Sequence, residues 1–379
     1  MPFSTPSFSD FVRISENGLS SSFYGEETVL RKSVLKVLSR VFAGVAYLVV
    51  LILSKMWKNL FIYSCDAETL EDKGVDFDFP HKPEGYARGQ VIVKKTTASN
   101  VSLAQGIVLT DESGLEYEID SDYTVTGSVD ADFPIRVIAV QSGSESDVDA
   151  SAVLSFRDGT PEGLADDVVV DEEGISGGVK REVSVNGNIE YWGETIEEYR
   201  QRLLDYRRNP PSGGCGADYR SWAERFAFVS RCIVQQNYPN VNSVTCVLVH
   251  YDDEGGIEAV NNTNRQEAEA YMQSDVRAPI TADIRVVSCL PKTIDLGIKV
   301  SPNDSRTRES VLSAVKKIFQ SYAPGDLVRA TDLDVKLLGS SSAESVSVFR
   351  VGSGSSESLS KSDHELPVVG DVSWVNADG

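Results

Sequence analysis

The feature that most constrains this chain is a continuous apolar run near its amino end, Val41 to Leu53, reading VFAGVAYLVVLIL. It lies inside a longer stretch of helical character, from about residue 28 to 63. Leu35, Leu38, Phe42, Val45, Val49, Ile52 and Met56 step by three and four, the seam of a helix that packs on other helices. A second seam runs beside it: Val34, Val37, Val41, Gly44, Leu48 and Leu51. Two adjacent seams need cover on more than one side, so the spacing predicts a bundle of three or more helices. Gly44 and Ala46 let a neighbour approach closely. The thirteen residues of the run fall short of the ~20 that cross a bilayer. Extension toward Ile62 takes in Lys55 and Lys58, so no membrane span is expected. From Arg31 to Lys58 there are six basic residues and no acid, in a chain of net charge −21. Three readings stay open: an internal helix with a solvated face, a helix completed by other chains, and a membrane anchor.

The stretch from Gly193 to Ala223, GETIEEYRQRLLDYRRNPPSGGCGADYRSWA, reads as helix, rigid break, helix. Thr195 can cap the first helix, whose first turn holds Glu197 and Glu198 and whose last turn holds Arg207 and Arg208. Pro210 and Pro211 cannot continue it, and Ser212-Gly213-Gly214 resets the direction. Asp218 can cap the second helix, which carries Tyr219, Trp222 and Phe226 along one side. These aromatics, with Tyr199 and Tyr206, suit core and inter-helix contacts. Arg200 and Arg202 are harder to bury, and arginine is favoured at protein interfaces. Arg200, Arg202, Tyr219 and Trp222 therefore join the residues of the first apolar seam as interface candidates.

This stretch resembles the baseplate J family of contractile-tailed phages, in which an E-x-x-R-x-R-L helix precedes P-x-G-G-x-x-x-D-Y-x-x-W-A. The matching residues are Glu197, Arg200, Arg202, Leu203, Pro211, Gly213, Gly214, Asp218, Tyr219, Trp222 and Ala223. Leu70-Glu71-Asp72-Lys73-Gly74 before Arg88-Gly89-Gln90-Val91 is similar to the family's join between N-terminal helices and first β domain. Gly114-Leu115-Glu116-Tyr117 is similar to its G-x-x-Y hairpin, and Ala323-Pro324-Gly325-Asp326 to its C-terminal segment. The resemblance implies a baseplate wedge component that forms a ring around the tail hub and rearranges to trigger sheath contraction. It implies N-terminal helices that bundle with other wedge proteins. It also implies contacts with copies of the chain itself, and with tail hub, sheath-initiator and tail-fibre attachment proteins as further candidates. The expected location is the tail baseplate of a virion, assembled in the host cytoplasm.

The expected fold class is α+β and multidomain. An N-terminal helical segment (1–84) leads to a β-rich domain (85–182) with strand-like QVIVKKTT, GIVLTDESGLEYEIDSDYTVTG and PIRVIAVQSG. Residues 141–182, with Asp166-Asp167 and Asp171-Glu172-Glu173, read as loops and connecting strands. A middle α/β domain (183–289) follows, with a strand at Ser243–Tyr251, the acidic turn Asp252 to Gly256, a helix around Arg265–Asp275, then Pro279 and a strand at Ala282–Ser288. The last α/β domain (290–379), expected to carry contacts between copies, has a strand from Thr293 and a helix opened by Asp304. Strands are predicted at Leu333–Leu338, Ser345–Val351 and Gly370–Val375, and a mobile Gly/Ser loop at 352–362.

Composition excludes several functions. Hydrophobic content of 41% is that of a folded chain. The charge of −21 opposes binding to nucleic acid, whose phosphates it would repel. Cys65, Cys215, Cys232, Cys246 and Cys289 form no C-x-x-C, which argues against a disulfide framework and for assembly in a reducing cytosol. The first 25 residues lack the basic start and apolar core of a secretory signal. Histidines stand at 81, 250 and 364, and no H-E-x-x-H, G-x-S-x-G or Walker pattern is present. Cys246 and His250 share a strand face, and Cys232 and Cys289 could join them around zinc. The spacing fits no zinc ribbon or finger, and ordinary packing is the simpler reading. Adjacent acids such as Asp252-Asp253 and Asp171-Glu172 point to opposite faces if on a strand and suit solvated turns better than catalysis or calcium binding. No catalytic, metal or cofactor residues are assigned, and no enzyme is expected. The alternative is a host-surface-binding or glycan-degrading tail protein.

Overall fold

The computed structural model describes residues 6–24, 34–185, 187–210, 212–252, 256–274 and 282–376. It is a mixed α+β architecture with N-terminal helices, a six-stranded barrel and further small α/β sheets. The chain divides into two units. One holds the residues up to Pro80 with Ser184–Ile189 and Ile196–Asp205, and the other holds the remainder.

In the first unit, α1 (Phe8–Tyr24) and α2 (Val34–Leu60) form an antiparallel hairpin. Ser7 and Asp10 open α1 as a capping pair: Asp10 N donates to Ser7 Oγ at 3.3 Å and Ser7 N to Asp10 at 3.2 Å. Phe8 and Phe11 meet the Tyr47 ring edge-on, Ser15 Oγ donates to Ser39 O at 3.0 Å, and Glu16 lies near Lys36 and Arg40. Residues 28–33 of the predicted helical stretch lie outside the described residues. After α2, the chain turns through Ile62 and Cys65 into α3 (Ala67–Asp76), capped by Asp66. The stretch 196–205 of α4 (Ile196–Arg208) completes this unit. Tyr199 of α4 is stacked with Phe79, and its hydroxyl donates to Phe79 O at 2.8 Å. Gly74 touches that hydroxyl, so any side chain at 74 would push the tyrosine away.

The second unit begins with β1 (Tyr86–Lys94), a ribbon strand β2 (Val101–Leu103), β3 (Val108–Thr110) and β4 (Glu116–Ile119). It continues with the second ribbon strand β5 (Tyr123–Val125), then β6 (Asp132–Ser142), β7 (Val153–Phe156) and β8 (Asp167–Ser176). Strands β1-β6-β4-β3-β7-β8 close into a barrel, with β8 pairing back onto β1. Val91, Val93, Leu109, Tyr117, Ile135, Val137, Leu154 and Val168 fill it. Their period of two is the pattern of a sheet buried on one face. Gly89 lies at a register shift where a Cβ would meet Gly174 O at 2.5 Å, so only glycine lets β1 approach β8 there. Asp171 and Glu172 sit on β8, not in a turn. The hairpin β9 (Arg181–Val185)–β10 (Asn188–Trp192) then carries the chain to α4.

After α4 come α5 (Gly216–Ala223), β11 (Arg231–Gln236), β12 (Ser243–Tyr251), β13 (Ile257–Glu258), α6 (Asn262–Met272) and β14 (Asp283–Ser288). Strand β12 is antiparallel to β11 and parallel to β14, with α6 in the crossover. Tyr219, Phe228, Cys232, Cys246, Leu248, Met272 and Val286 form a core on one face. Ile233, Val247 and Val249 form another on the opposite face. Cover on both sides explains why β12 reads VTCVLV rather than alternating. Asp253, Glu254 and Gly255 of the acidic turn, and Asp275 and Pro279, lie outside the described residues.

The last part runs β15 (Leu290–Ser301), α7 (Ser305–Phe319), β16 (Leu327–Arg329), α8 (Ala330–Ser340), β17 (Ser345–Val351), β18 (Ser356–Ser358) and β19 (Glu365–Asn376). The sheet order is β17-β15-β19, and α7 and α8 share its core through Val311, Val315, Phe319, Leu333 and Leu337. Asp304 caps α7, accepting from Thr307 N at 2.7 Å. Three expectations fail here. Leu333–Leu338 is helix α8: Leu333 and Leu337, four apart, are buried, whereas Val335 is 76% exposed. The apolar alternation in DLDVKLL concealed that spacing. The supposed loop at 352–362 contains β18, paired with β16, and Leu359 is buried. Strand β19 begins at Glu365, five residues earlier than predicted, because an edge strand tolerates Pro367.

Asp66 accepts from Thr69 N at 3.1 Å and Asn59 Nδ2 at 2.9 Å. The hydrogen bonds from Thr69 and Asn59 outweigh partial burial and hold its pKa at about 2. A depressed carboxylate stabilises the fold fully above its ordinary value and loses that contribution as pH falls toward the folded one. Asp66→Ala should therefore lower stability by about 1 kcal/mol at neutral pH, the usual worth of such a cap. The difference from wild type should vanish between pH of about 4 and about 2 in chemical denaturation. A difference independent of pH over that window would refute this account.

Candidate functional site

Helix α2 spans 27 residues, and its stretch Lys36–Leu60 is long and apolar enough to cross a membrane by length and composition alone. What α1 covers on it is a stripe of mostly small or polar residues: Ser39 and Ala43 are buried, with Lys36 and Tyr47 beside them. Neither predicted seam lies on that stripe. Leu38, Phe42, Val45, Val49, Ile52 and Met56 are all exposed, Phe42 by 60% and Met56 by 64%. Leu35 lies in α2, but its side chain falls outside the described residues. Of the second seam, Val34, Val37, Val41, Leu48 and Leu51 are exposed as well, and Gly44 has open space around it. The reading of an internal helix with one solvated face is therefore overturned, because α2 is exposed on its apolar faces. A large apolar side chain half in water forgoes about 1 kcal/mol of the 1.5–3 that full burial supplies. Trp57 and Phe61 extend the patch toward the carboxyl end, in edge contact at 5.7 Å. Lys55 pairs loosely with Asp66 at 3.8 Å.

The structure separates the other four candidates by their surroundings. Arg200 is 8% exposed within the first unit. It donates to the carbonyls of Ile62 and Cys65, the latter at 2.9 Å, and pairs with Glu197 at 3.0 Å. Its planar fork thus holds the turn between α2 and α3 against α4. Arg202 lies over the Phe79 ring at 4.7 Å and reaches Pro80 O at 3.3 Å. In the second unit, Tyr219 is buried in the α5 core and Trp222 packs beside it, ring centroids 5.1 Å apart.

The break between helices is built on Asp218. It is not the cap: α5 starts at Gly216 behind Cys215, and Asp218 stands one turn inside, completing a capping box with Cys215. Its carboxylate accepts from Gly214 N at 2.6 Å, Cys215 N at 3.0 Å and Ser212 N at 3.1 Å. Burial pushes its pKa up, but these N–H groups outweigh it and the net shift is downward. Gly213 and Gly214 have φ of 81° and 111°, where a side chain would be strained. Pro211 lies outside the described residues. The cysteines are divided: Cys232 and Cys246 face one core and Cys289 the other, with burial pushing the Cys289 thiol up to about 12. This division parts Cys289 from the zinc grouping weighed above.

A concave feature lies between the barrel and α6, a cleft of about 650 Å³ flanked by Arg88, Asp120, Arg136, Gln266 and Glu267. Arg88 pairs with Glu267, and Arg136 donates to Gln266 at 2.6 Å. These bonds tie the two parts across the cleft. Arg200→Leu should leave the Ile62 and Cys65 carbonyls without their donor, at a cost of about 2–4 kcal/mol. Urea unfolding should show that loss, and trypsin should cut after Lys58 sooner. Unchanged stability would mean that the clamp is incidental.

No family model matches the chain. Over 283 residues it is 20% identical to "Putative protein JayE" of Escherichia coli (strain K12), covering 73% of this chain and 96% of that protein. Among solved structures it is similar to a chain of the cryo-EM structure of the anti-feeding prophage (AFP) baseplate, 6-fold symmetrised. That likeness has 12% identity and a TM-score of 0.36, and covers 98% of this chain and 100% of that chain. The likeness to JayE thus runs through most of both chains.

Proposed function

We propose that this chain is a structural, non-enzymatic wedge component in the baseplate of a contractile tail or tail-like particle. The reading is supported by the mixed-chemistry motif at 193–223 and by the likeness to JayE along most of the chain. The observation that carries it is the exposure of both apolar seams of α2. A helix with two uncovered seams is complete only when other helices lie in them. Leu38, Phe42, Val45, Val49, Ile52 and Met56 would meet helices of neighbouring wedge proteins. The segment 1–84 is thus assigned to bundling and the segment after 290 to contacts between copies of this chain. A closed ring around a hub requires different faces of neighbouring copies to meet. Release of those contacts and formation of others would let the sheath contract, which is an interface switch and involves no bond chemistry. Such a particle is either a phage virion or a related injection machine.

Light scattering after size exclusion tests this on the full chain, alone and with its neighbouring tail proteins. The chain alone should self-associate, and addition of the cognate neighbour should yield one defined complex. Phe42→Glu with Val49→Glu should remove both self-association and complex formation while leaving the near-ultraviolet spectrum of the remaining fold unchanged. A monodisperse wild-type monomer that ignores its neighbours would overturn the proposal.

A second reading is favoured by the same helix: α2 as a membrane anchor, given the length and hydropathy of Lys36–Leu60. Its uncharged core, Val41–Ser54, is shorter than the ~20 residues that span a bilayer. Retention in the pellet after carbonate extraction would establish the anchor, and recovery in the supernatant without detergent would exclude it.

A further inference from the structure

The sheet of β11, β12 and β14 has two unlike faces. On the face away from α5 and α6, Ile233, Val247 and Val287 lie side by side in register, and Leu366 of β19 belongs to the same cluster. Residues paired across a sheet share a face, and so do residues two apart along a strand. The neighbouring row on this face is polar: Gln235, Thr245 and Arg285 are paired across the same three strands. His364, in the turn two residues before Leu366, lies near Arg285 of this row. Its carbonyl accepts from Leu290 N at 3.0 Å, and its ring meets Tyr238 edge-on at 6.0 Å. Burial lowers its pKa, and nearby Arg285 lowers it further. Thr245 Oγ1 donates to Tyr238 O at 2.7 Å, and Lys361 lies over the Tyr238 ring at 5.0 Å.

Gln235 and His364 are left unsatisfied here. Gln235 is 6% exposed, and neither its Nε2 nor its Oε1 has a hydrogen-bond partner among the described residues. His364 Nδ1 is buried and equally unmet. Each such group destabilises the fold while it stays unpaired. Arg285 and Lys361 make no ion pair among the described residues, although the chain carries a net charge of −21. The acids on this side are Asp363, beside His364 in sequence, and Asp283, which accepts from Ser243 Oγ at 3.2 Å. A water molecule would satisfy the amide but would bring no negative charge to Arg285 and Lys361.

We propose that Gln235, Arg285 and His364 form a binding site for a carboxylate, supplied by an acidic side chain of a partner polypeptide. A carboxylate is planar, carries one negative charge and accepts from several donors at once. Gln235 Nε2, the guanidinium fork of Arg285 and the imidazole would each give it a hydrogen bond assisted by the charge of the carboxylate. Lys361 adds a longer-range attraction. The site stands independently of the baseplate reading, since none of its residues belongs to α2 or to the motif at 193–223.

The test follows His364 by NMR in the full-length protein labelled at histidine. The probes are a capped tetraglutamate peptide, N-acetylglutamate amide and inorganic phosphate, each at constant ionic strength in chloride. The peptide should shift the His364 resonance saturably and raise its titration midpoint by about one unit, since a bound anion favours the charged imidazole. Arg285→Ala, on the exposed end of the row, should weaken binding about tenfold without changing the melting temperature. Gln235→Leu, similar in size, should abolish binding. No saturable shift with the peptide would overturn the proposal, as would an equal shift in Arg285→Ala. Phosphate binding without carboxylate binding would also overturn it. N-acetylglutamate amide binding as tightly as the peptide would assign the site to small free carboxylates and overturn the polypeptide source.

Discussion

Water exposure along α2 is the constraint on which the rest of this structure turns. Its partner α1 covers only the stripe marked by Ser39 and Ala43, where small side chains allow close approach. The large side chains point elsewhere. In the second unit, by contrast, the apolar surface is gathered into closed cores: the barrel, both faces of the β12 sheet, and the α7–α8 sheet. Burial is the main favourable term in folding, so a chain that closes these cores and leaves α2 open has a helix awaiting cover.

The first unit holds that helix by polar means as well as apolar ones. Arg200 ties the carbonyls of Ile62 and Cys65 to α4, Lys73 reaches Asn59 O, and Asn59 and Asp66 bond each other. Backbone carbonyls at the end of a helix need donors from outside it, and here arginine and lysine supply them. The carboxyl end of α2 is therefore anchored within its own unit while its apolar sides remain available. The same economy of donors recurs at the other helix junction, where Asp218 collects three N–H groups of the Ser212–Cys215 turn.

Local sequence signals were legible wherever one short-range rule dominated. The acidic and basic ends of α4, the glycine turn, the Asp304 cap and the strand at 243–251 follow from single residues or runs. Signals were lost where two periods overlap, as at Leu333–Leu338, or where a serine-rich stretch hides a cap. Helix α1 lies within the segment expected to be helical, but its bounds are hidden for that second reason: Ser7 and Asp10 form a capping pair, yet the helix behind them is weakly apolar. Strand β18 could not be read at all, because Ser356–Ser358 is a strand only by pairing with β16.

The seams of α2, the motif at 193–223 and the acidic charge are properties of the chain in order, and the sequence alone determined them. Period and composition act over a few turns and need no fold. Which face of α2 its own unit would cover was decided only by the tertiary structure. So were the uses of Arg200 in a buried clamp and Tyr219 in a core. The same holds for the alignment of Gln235, Thr245 and Arg285 on one row and for the approach of His364, more than a hundred residues from Gln235, to Arg285. Burial and hydrogen bonding depend on which distant segment arrives at a residue. A sequence records the residue's chemistry but not its neighbour in space.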